Sequence, residues 1–545
     1  MSILSLGRRA PQATSARATR APELPFRDAA SCAKWLESVP LTHAASAQQS
    51  LAAQLERLAI TALAPLTRLG ILETLREPLA YVQGELAKKT RGRPMPLAPL
   101  ELAAWEQLTG LWQSLHAAYQ QSLRECTAGS AELARFAPLI CLRSLQCTAF
   151  AMFEHYRVYR GVPAGLWRQL HEAYAFADAG GFAASTIDQR MLEQEIPDTC
   201  GGVYAHALLA HLGSPYALSA RQMDLMHQWL EHWSSSVGLA QHPLPASRVP
   251  ALAVDLDSSG AVAFAQDLAG RTAVRYLNLG PLSQTIRRLL GALRQGQSPA
   301  DIGLGRNCPQ PGCEKLLTLL HIQWCGAGTG RIDERRQAGH NAGVCMSLNS
   351  AHYYVSGKPF RQPGAAYSRE EDADLQMFGR VSERTLRSQI SQRSAALESW
   401  QLVNESAAGF LGMVRSAQLD APLEHQQLLV FARDAAGAFR AGVVQWLKQD
   451  DNSDIFIGVR LLPGAPQAVA VRPAGMAAKP DKFARALLLP EVPELQSPCC
   501  LLLAPGTFQP GRFLDLHNDR TQVVKLMRLL EKGADFERVE FILPS

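Results

Sequence analysis

Two segments decide the fold of the C-terminal half: W-Q-L-V-N-E-S-A-A-G at residues 400–409 and A-G-V-V-Q-W-L-K-Q-D-D-N-S-D-I-F-I-G-V-R-L-L at residues 441–462. In the second segment Ile455, Ile457 and Val459 share one phase of an alternating pattern, which is typical of a strand buried on one face. Polar residues at 450–454 separate two such apolar runs. The pattern therefore predicts an antiparallel hairpin.

Length and composition set the class of protein. The chain has 545 residues, of which 47% are hydrophobic, so it can bury several cores. The net charge of +5 is small for this length, which argues against a dedicated nucleic-acid binder. Eleven cysteines, an odd number mostly in apolar helical context, favour reduced thiols and a cytoplasmic protein. We expect no membrane span, because no uncharged apolar run reaches the ~18 residues that one needs.

The hydrophobic periodicity changes along the chain. It is helical for about the first two hundred residues and strand-like towards the C terminus, so we expect an α+β multidomain fold: an all-α bundle or solenoid followed by a β-rich half with an antiparallel β-barrel. The expected parts are a disordered basic tail at 1–26, with an organelle presequence as the alternative, a helical scaffold at 27–240, a small mixed α/β module at 243–364, a β-barrel at 370–475 and a β-rich extension at 484–545.

The helical scaffold is predicted from apolar residues at three- and four-residue spacing. Leu55 and Leu58 show this spacing, as do Trp105, Leu108 and Trp112. Ser219 is the expected N-cap of a helix that follows it. Aromatic side chains in this region form either the core or a groove for a partner helix, and the sequence leaves both open.

The module at 243–364 holds the residues that most resemble metal ligands. Cys308 and Cys313 are followed by His321 and Cys325, but their spacing is poor for a zinc ribbon, and His321 and Cys325 lie on an apolar helix. We therefore expect buried free cysteines and no metal. The same module is expected to contain a hairpin within residues 249–264, with its turn at Asp257 to Gly260, and a strand at 345–355. In the extension, residues 523–532 are expected to form a helix.

The segment at 404–409 has the chemistry of a ligand-binding turn. Asn404 and Ser406 can bond local backbone or a ligand, and Gly409 permits close approach of another backbone. Upstream, Arg380 and Arg384 place two guanidinium groups four residues apart. Such groups form paired hydrogen bonds with phosphates or with the guanine edge.

Together these two motifs resemble the PilZ domain family of bacterial cyclic di-GMP receptors. In that family an R-x-x-x-R segment precedes a six-stranded β-barrel, and an early strand of the barrel ends in [D/N]-x-S-x-x-G. The resemblance covers about residues 370–470 and implies that Arg380, Arg384, Asn404, Ser406 and Gly409 bind cyclic di-GMP. It implies no other cofactor. The segment between Arg384 and Trp400 departs from the family pattern, because its apolar spacing is helical.

The resulting functional prediction is a non-enzymatic effector. Cyclic di-GMP would bind the PilZ-like barrel, and the helical scaffold would contact an unidentified protein partner. The alternative is an adaptor whose barrel no longer binds nucleotide. An enzyme ranks third, since the sequence has no Gly-rich phosphate loop, no H-E-x-x-H and no G-x-S-x-G motif.

Overall fold

The structure is a computed structural model that describes residues 24–187, 199–245, 249–326, 335–364, 397–433, 438–475 and 482–544, together with 374, 376 and 377. Most described helices lie before residue 326, and two closed antiparallel β-barrels lie after residue 335. This arrangement confirms the predicted fold class. Within the described ranges, no helix combines the length and apolar character needed to cross a membrane.

The helical part is built around α6, whose side chains are buried on nearly every side. Such burial requires neighbours all round: α4, α7 and α8 pack along α6, and Glu73 of α3 accepts a hydrogen bond from Arg143 of α6. Ser219 is the N-cap of α9, as predicted: its Oγ accepts from the Gln222 backbone N–H. The helices are α1 Ala29–Leu36, α2 Ala44–Ile60, α3 Pro65–Thr90, α4 Pro99–Thr127, α5 Ala131–Ala134, α6 Ala137–Arg157, α7 Ala164–Ala179, α8 Cys200–Leu212 and α9 Ala220–Trp233.

A four-stranded antiparallel sheet and two helices follow and pack on the helical part. The indole N–H groups of Trp229 and Trp324 donate to the Leu304 and Leu209 carbonyls at 3.1 and 2.8 Å, so both regions share one core. The predicted hairpin is confirmed as the β2–β3 pair. The elements are β1 Gly238–Ala240, β2 Leu252–Asp255, β3 Ala263–Phe264, β4 Val274–Asn278, α10 Gly280–Arg294 and α11 Gly312–Cys325, with strand order β1-β4-β2-β3.

The first barrel has the closed strand order β10-β7-β6-β5-β8-β9. Its β9–β10 pair is the predicted hairpin, and Ile455, Ile457 and Val459 are buried as the alternation requires. The barrel begins earlier than the expected boundary at 370, because β5 pairs with both β6 and β8. Its strands are β5 Arg336–Met346, β6 Glu398–Glu405, β7 Gly409–Arg415, β8 Leu428–Ala432, β9 Arg440–Gln449 and β10 Asp454–Leu461.

The strand predicted at 345–355 is wrong beyond Met346, where β5 ends. Helix α12 (Leu348–Ser356) follows, and Ser347 Oγ accepts from the Ser350 backbone N–H as its N-cap. Leu348 and Ala351, three residues apart, face a small core shared by both barrels. That packing favours a helix over the strand that the aromatic and β-branched residues suggested.

The second barrel has the closed strand order β11-β12-β13-β16-β15-β14. The helix predicted at 523–532 is wrong, because those residues lie in β15. Register shifts at Leu526/Arg528 and Leu529/Glu531 interrupt the two-residue alternation, so the apolar spacing resembles that of a helix. The strands are β11 Gln467–Pro473, β12 Ala484–Leu489, β13 Cys500–Leu503, β14 Phe513–Asn518, β15 Arg520–Lys532 and β16 Glu537–Ile542.

Backbone hydrogen bonds join the helical part to the first barrel. Met95 and Leu423 exchange N–H and C=O bonds of 2.8 and 2.7 Å. The Gly161 N–H donates to the Gln449 carbonyl at 2.8 Å, and the Gln449 N–H donates to Tyr159 at 2.8 Å. The barrel is therefore docked on the helical part through the end of β9 and through Leu423, which lies before β8.

Candidate ligand site on the first barrel

The turn between β6 and β7 carries the predicted Asn-x-Ser-x-x-Gly motif. The backbone N–H of Ser406 donates to the Gly409 carbonyl at 2.7 Å, and the Ser406 hydroxyl donates to the same oxygen at 3.3 Å. The Ala408 carbonyl accepts from the Leu461 N–H at 2.8 Å. These bonds close the turn and hold it against the end of β10.

Gly409 is required by the close approach of another strand. A Cβ at this position would lie 2.2 Å from the carbonyl oxygen of Val459. Backbone cannot move aside as a flexible side chain can, so any other residue would push β7 away from β10. The close approach inferred from the sequence is thus present at Gly409.

Asn404 contacts an arginine that the sequence analysis did not select. The Arg335 Nη1 group donates to Asn404 Oδ1 at 3.0 Å. Beside it, Arg433 pairs with Glu405 at 2.7 Å. This end of β6 therefore lies among exposed guanidinium groups from the segments next to β5 and β8.

Arg335 belongs to the sequence G-R-I-D-E-R-R at residues 330–336, which leads into β5. Arg331 and Arg335 have the R-x-x-x-R spacing, although Arg331 lies outside the described residues. This pair was not predicted from the sequence, because the start of the barrel was expected after residue 370. The four-residue spacing of these arginines and the strand that follows them were the sequence features that could have identified the pair.

Arg380 and Arg384, the pair selected from the sequence, lie outside the described residues. In chain order they fall between α12 and β6, and hence after the first strand of the barrel and not before it. Their assignment as nucleotide ligands stays a prediction.

A groove of about 600 Å³ lies where the β6–β7 turn meets the second barrel. Guanidinium groups dominate its polar lining, so its potential attracts anions. Residues of both barrels contribute to its walls, among them Ala407, Ala408, Arg440, Arg460, Arg528 and Arg538.

The arginines of the groove are only partly neutralised. Arg460 pairs with Glu531, and Arg528 Nε lies 3.0 Å from Glu540 Oε2. Arg440 has no ion-pair partner in the described part of the chain. The groove therefore keeps an excess of positive charge next to the Asn-x-Ser-x-x-Gly turn.

Metal binding has no support among the residues that the structure describes, where no three His, Cys, Asp or Glu side chains gather as metal ligands. His321 Nε2 instead lies 3.0 Å from Ser283 Oγ. Cys308 and Cys313 are both buried free cysteines. The side-chain hydrogen bond between these two thiols raises the pKa of Cys313 beyond its usual range.

These observations define a class of protein: a helical scaffold joined to two closed β-barrels, with a basic groove and a glycine-dependent turn at the first barrel. Comparison with known families finds matches to the helical part and to the second barrel. Residues 30–244 match the N-terminal domain of the cyclic-di-GMP receptor FimW, and residues 469–543 match the FimW C-terminal β-barrel domain. The helical part and the second barrel are therefore each similar to a domain of the FimW family.

A curated relative extends the similarity over most of the chain. It is the cyclic-di-GMP receptor FimW of Pseudomonas aeruginosa, 21% identical over 550 residues that cover 93% of this chain and 89% of the relative. No solved structure gives a significant match. The homologue's name is consistent with a non-enzymatic effector that binds cyclic di-GMP. The resemblance predicted from the sequence was restricted to the C-terminal part. The similarity to FimW is wider, because it also includes the helices.

Proposed function

We propose that this protein is a non-enzymatic cyclic di-GMP receptor whose first barrel is PilZ-like and binds the nucleotide. The observation that carries the proposal is the 3.0 Å contact between Arg335 and Asn404. It joins the arginine segment before the first strand to the Asn-x-Ser-x-x-Gly turn. The name of the FimW relative supports the same ligand.

We assign the R-x-x-x-R role to Arg331 and Arg335 in place of Arg380 and Arg384. The support is the order of elements, since Arg335 immediately precedes β5 and contacts the motif strand β6. A guanidinium group at this point can form paired hydrogen bonds with a phosphate or with guanine O6 and N7.

The groove between the barrels supplies the complementary charge. Cyclic di-GMP carries two phosphates, and a dianion is attracted by arginines that the protein only partly neutralises. We place the nucleotide against the β6–β7 turn, where Ala407 and Ala408 leave the backbone accessible, with Arg440 and Arg528 near its phosphates.

The helical part is the proposed contact surface for a protein partner. It is joined to the first barrel by the backbone hydrogen bonds at Leu423 and Gln449, so a change at the barrel can reach it without a flexible linker. A ligand shifts such a system only as far as its affinities for two arrangements differ.

A second function, an adaptor without nucleotide, is favoured by one observation. The polar groups of the motif are already used inside the protein: Asn404 Oδ1 accepts from Arg335, and the Ser406 hydroxyl is bonded to the Gly409 carbonyl. If these bonds persist, the turn has a structural role only.

Calorimetric titration of the full-length protein with cyclic di-GMP tests the proposal. We expect saturable binding that Arg335→Ala weakens about tenfold or more, the typical effect of losing a hydrogen bond to a charged group. Arg520→Ala, an exposed change in the second barrel, should leave the affinity unchanged and serves as the matched control.

Arg384→Ala distinguishes the two arginine pairs. Unchanged affinity in this variant, together with a loss in Arg335→Ala, supports Arg331 and Arg335. The opposite result would restore Arg380 and Arg384. No binding by the wild-type protein would favour the adaptor.

A further inference from the structure

A cavity of about 460 Å³ opens in the helical part between α3, α4, α6, α8 and α9, far along the chain from the barrels. Trp112, Phe150 and Phe153 form its aromatic wall, with the rings of Trp112 and Phe150 4.8 Å apart. Its size and partly apolar lining are those of a site for a small organic molecule.

The wall contains hydrogen-bond donors that have no partner among the described residues. These are Trp112 Nε1, Gln146 Nε2 and Arg157 Nε, and the Trp112 and Gln146 side chains are only 6% and 4% exposed. Buried polar groups are normally paired, so each such group requires an explanation. In the part of the chain that the structure describes, Glu154 Oε2 in this wall also has no hydrogen-bond partner, although Glu154 forms an ion pair with Arg157 through its other carboxylate oxygen.

A second, smaller cavity of about 20 Å³ adjoins the first and shares Trp112, Gln146 and Phe150 with it. It has room for about one oxygen-sized group. Arg76 and Arg143 close its far side.

These two arginines face one carboxylate, that of Glu73. Arg143 Nη2 and the Tyr119 hydroxyl donate to Glu73 at 3.2 and 2.6 Å. Arg76 Nε forms an ion pair with Glu73 Oε2 at 3.6 Å but no hydrogen bond. Among the described residues neither its Nε nor its Nη2 has a hydrogen-bond partner, although Arg76 is only 7% exposed. A buried guanidinium group without hydrogen-bond partners destabilises the folded protein, and an anion beside Arg76 would offset this free-energy cost.

The other titratable groups of the cavity do not cancel the excess of positive charge that two arginines facing one carboxylate produce. His206 and His227 contact each other at 3.0 Å, and burial lowers the pKa of His206 to about 3 and that of His227 well below its usual range, so both are neutral. Glu231 is exposed at the mouth, where water and salt screen its charge.

We propose that this cavity binds a small organic carboxylate. The anionic end reaches the N–H groups of Arg76, Trp112 and Gln146, and the apolar body lies against Phe150 and Phe153. The site is separate from the proposed nucleotide site, and its argument does not depend on that proposal.

Octanoate and phenylacetate are suitable probes, with octanol and 2-phenylethanol as uncharged controls that have the same carbon skeletons. Calorimetry and thermal unfolding of the full-length protein should show saturable binding and a raised Tm with at least one acid. The corresponding alcohol should bind at least about tenfold more weakly, because it cannot offset the charge of Arg76.

Arg76→Met keeps the apolar stem and removes the charge, while Arg143 and Tyr119 still bond Glu73. We expect acid binding to fall about tenfold or more in this variant and to stay unchanged in Arg168→Met, an exposed change on α7. Trp112→Phe keeps an aromatic ring and removes one donor, so it provides a second test if Arg76→Met does not fold.

The proposal is overturned by equal binding of acids and alcohols, by no binding of either acid, or by acid affinity that survives both Arg76→Met and Trp112→Phe. Displacement of the acid by cyclic di-GMP would also overturn it, since the cavity would then belong to the nucleotide.

Discussion

The two barrels have the same number of strands, yet they differ in what they present to solvent. In each barrel a buried carboxylate holds one loop in place by accepting hydrogen bonds. Glu398 accepts from Trp400 Nε1 at 2.9 Å and the Asp420 N–H at 3.0 Å. Glu537 accepts from the Gly506 and Phe508 N–H groups at 3.0 and 2.8 Å.

The difference lies in turns and edges. The first barrel has a turn that requires Gly409, an arginine that contacts Asn404, and a strand docked on the helices. The interior of the second barrel is a closed cluster of Val, Leu and Ala side chains, and its rim contributes Arg528 and Arg538 to the shared groove. A common fold thus supports different roles, because a site depends on the residues placed at its rim.

The largest expected effect on stability concerns the second barrel. Glu537→Ala removes two hydrogen bonds to a charged acceptor and should lower the free energy of unfolding by about 2–4 kcal/mol. Urea unfolding followed by circular dichroism measures the loss. Glu540→Ala, at a half-buried position on the same strand, is the control, since Glu540 pairs with the exposed Arg528. An equal loss there would refute the role of Glu537 in holding the loop.

Lowering the pH should weaken the docking of the first barrel on the helical part. His155 Nδ1 contacts the Gly161 carbonyl at 2.9 Å, next to the bond from Gly161 to Gln449, and burial lowers the pKa of His155 to about 4. Because the pKa of His155 is lower in the folded protein than in the unfolded chain, the folded protein favours the neutral imidazole. The contribution of His155 to the free energy of unfolding, about 3 kcal/mol, is therefore fully present above pH 6.5 and lost as the pH falls towards 4.

His155→Gln can keep a hydrogen bond to Gly161 and does not titrate. Between pH 7.5 and 4.5 we expect a smaller loss of unfolding free energy than in the wild type, measured by tryptophan fluorescence in urea. His517→Gln in the second barrel should behave as the wild type, and identical pH profiles for all three proteins would contradict this account.

The turn of the first barrel gives the next effect. Gly409→Ala places a Cβ against the Val459 carbonyl and should cost about 1–3 kcal/mol. It should also weaken cyclic di-GMP binding, since the turn moves. Gly475→Ala, two residues after the end of β11, meets no atom within 4 Å and is the matched control for both thermal unfolding and calorimetry.

The smallest stability effect is expected at the groove. Arg528 is 68% exposed, so breaking its pair with Glu540 should change the free energy of unfolding by less than about 1 kcal/mol. Arg528→Ala should nevertheless reduce cyclic di-GMP affinity, more at low salt than at high salt, because it removes positive charge from the groove. Salt-independent, unchanged affinity would exclude Arg528 from the site.

Much of the fold followed from local pattern. The β9–β10 hairpin was predictable because its burial alternates every two residues, and the N-cap Ser219 because its hydroxyl acts within one turn. Strand β15 was not, since two bulges disturb its alternation, and neither was α12, whose helical form depends on burial between two barrels.

The candidate site divides in the same way. The need for Gly409 was visible in the sequence, whereas Arg335 was not selected, because its partner Asn404 is 69 positions away and only the pairing of β5 with β6 brings them together.

The sequence by itself determined the change from helices to strands along the chain and the chemistry of the turn, because both depend on residues close together in the chain. Only the tertiary structure decided which strand opens the first barrel, which arginine meets the turn, and that Arg76 and Arg143 share one carboxylate. Those facts depend on contacts between distant segments, where burial and charge are set by neighbours that local spacing does not identify.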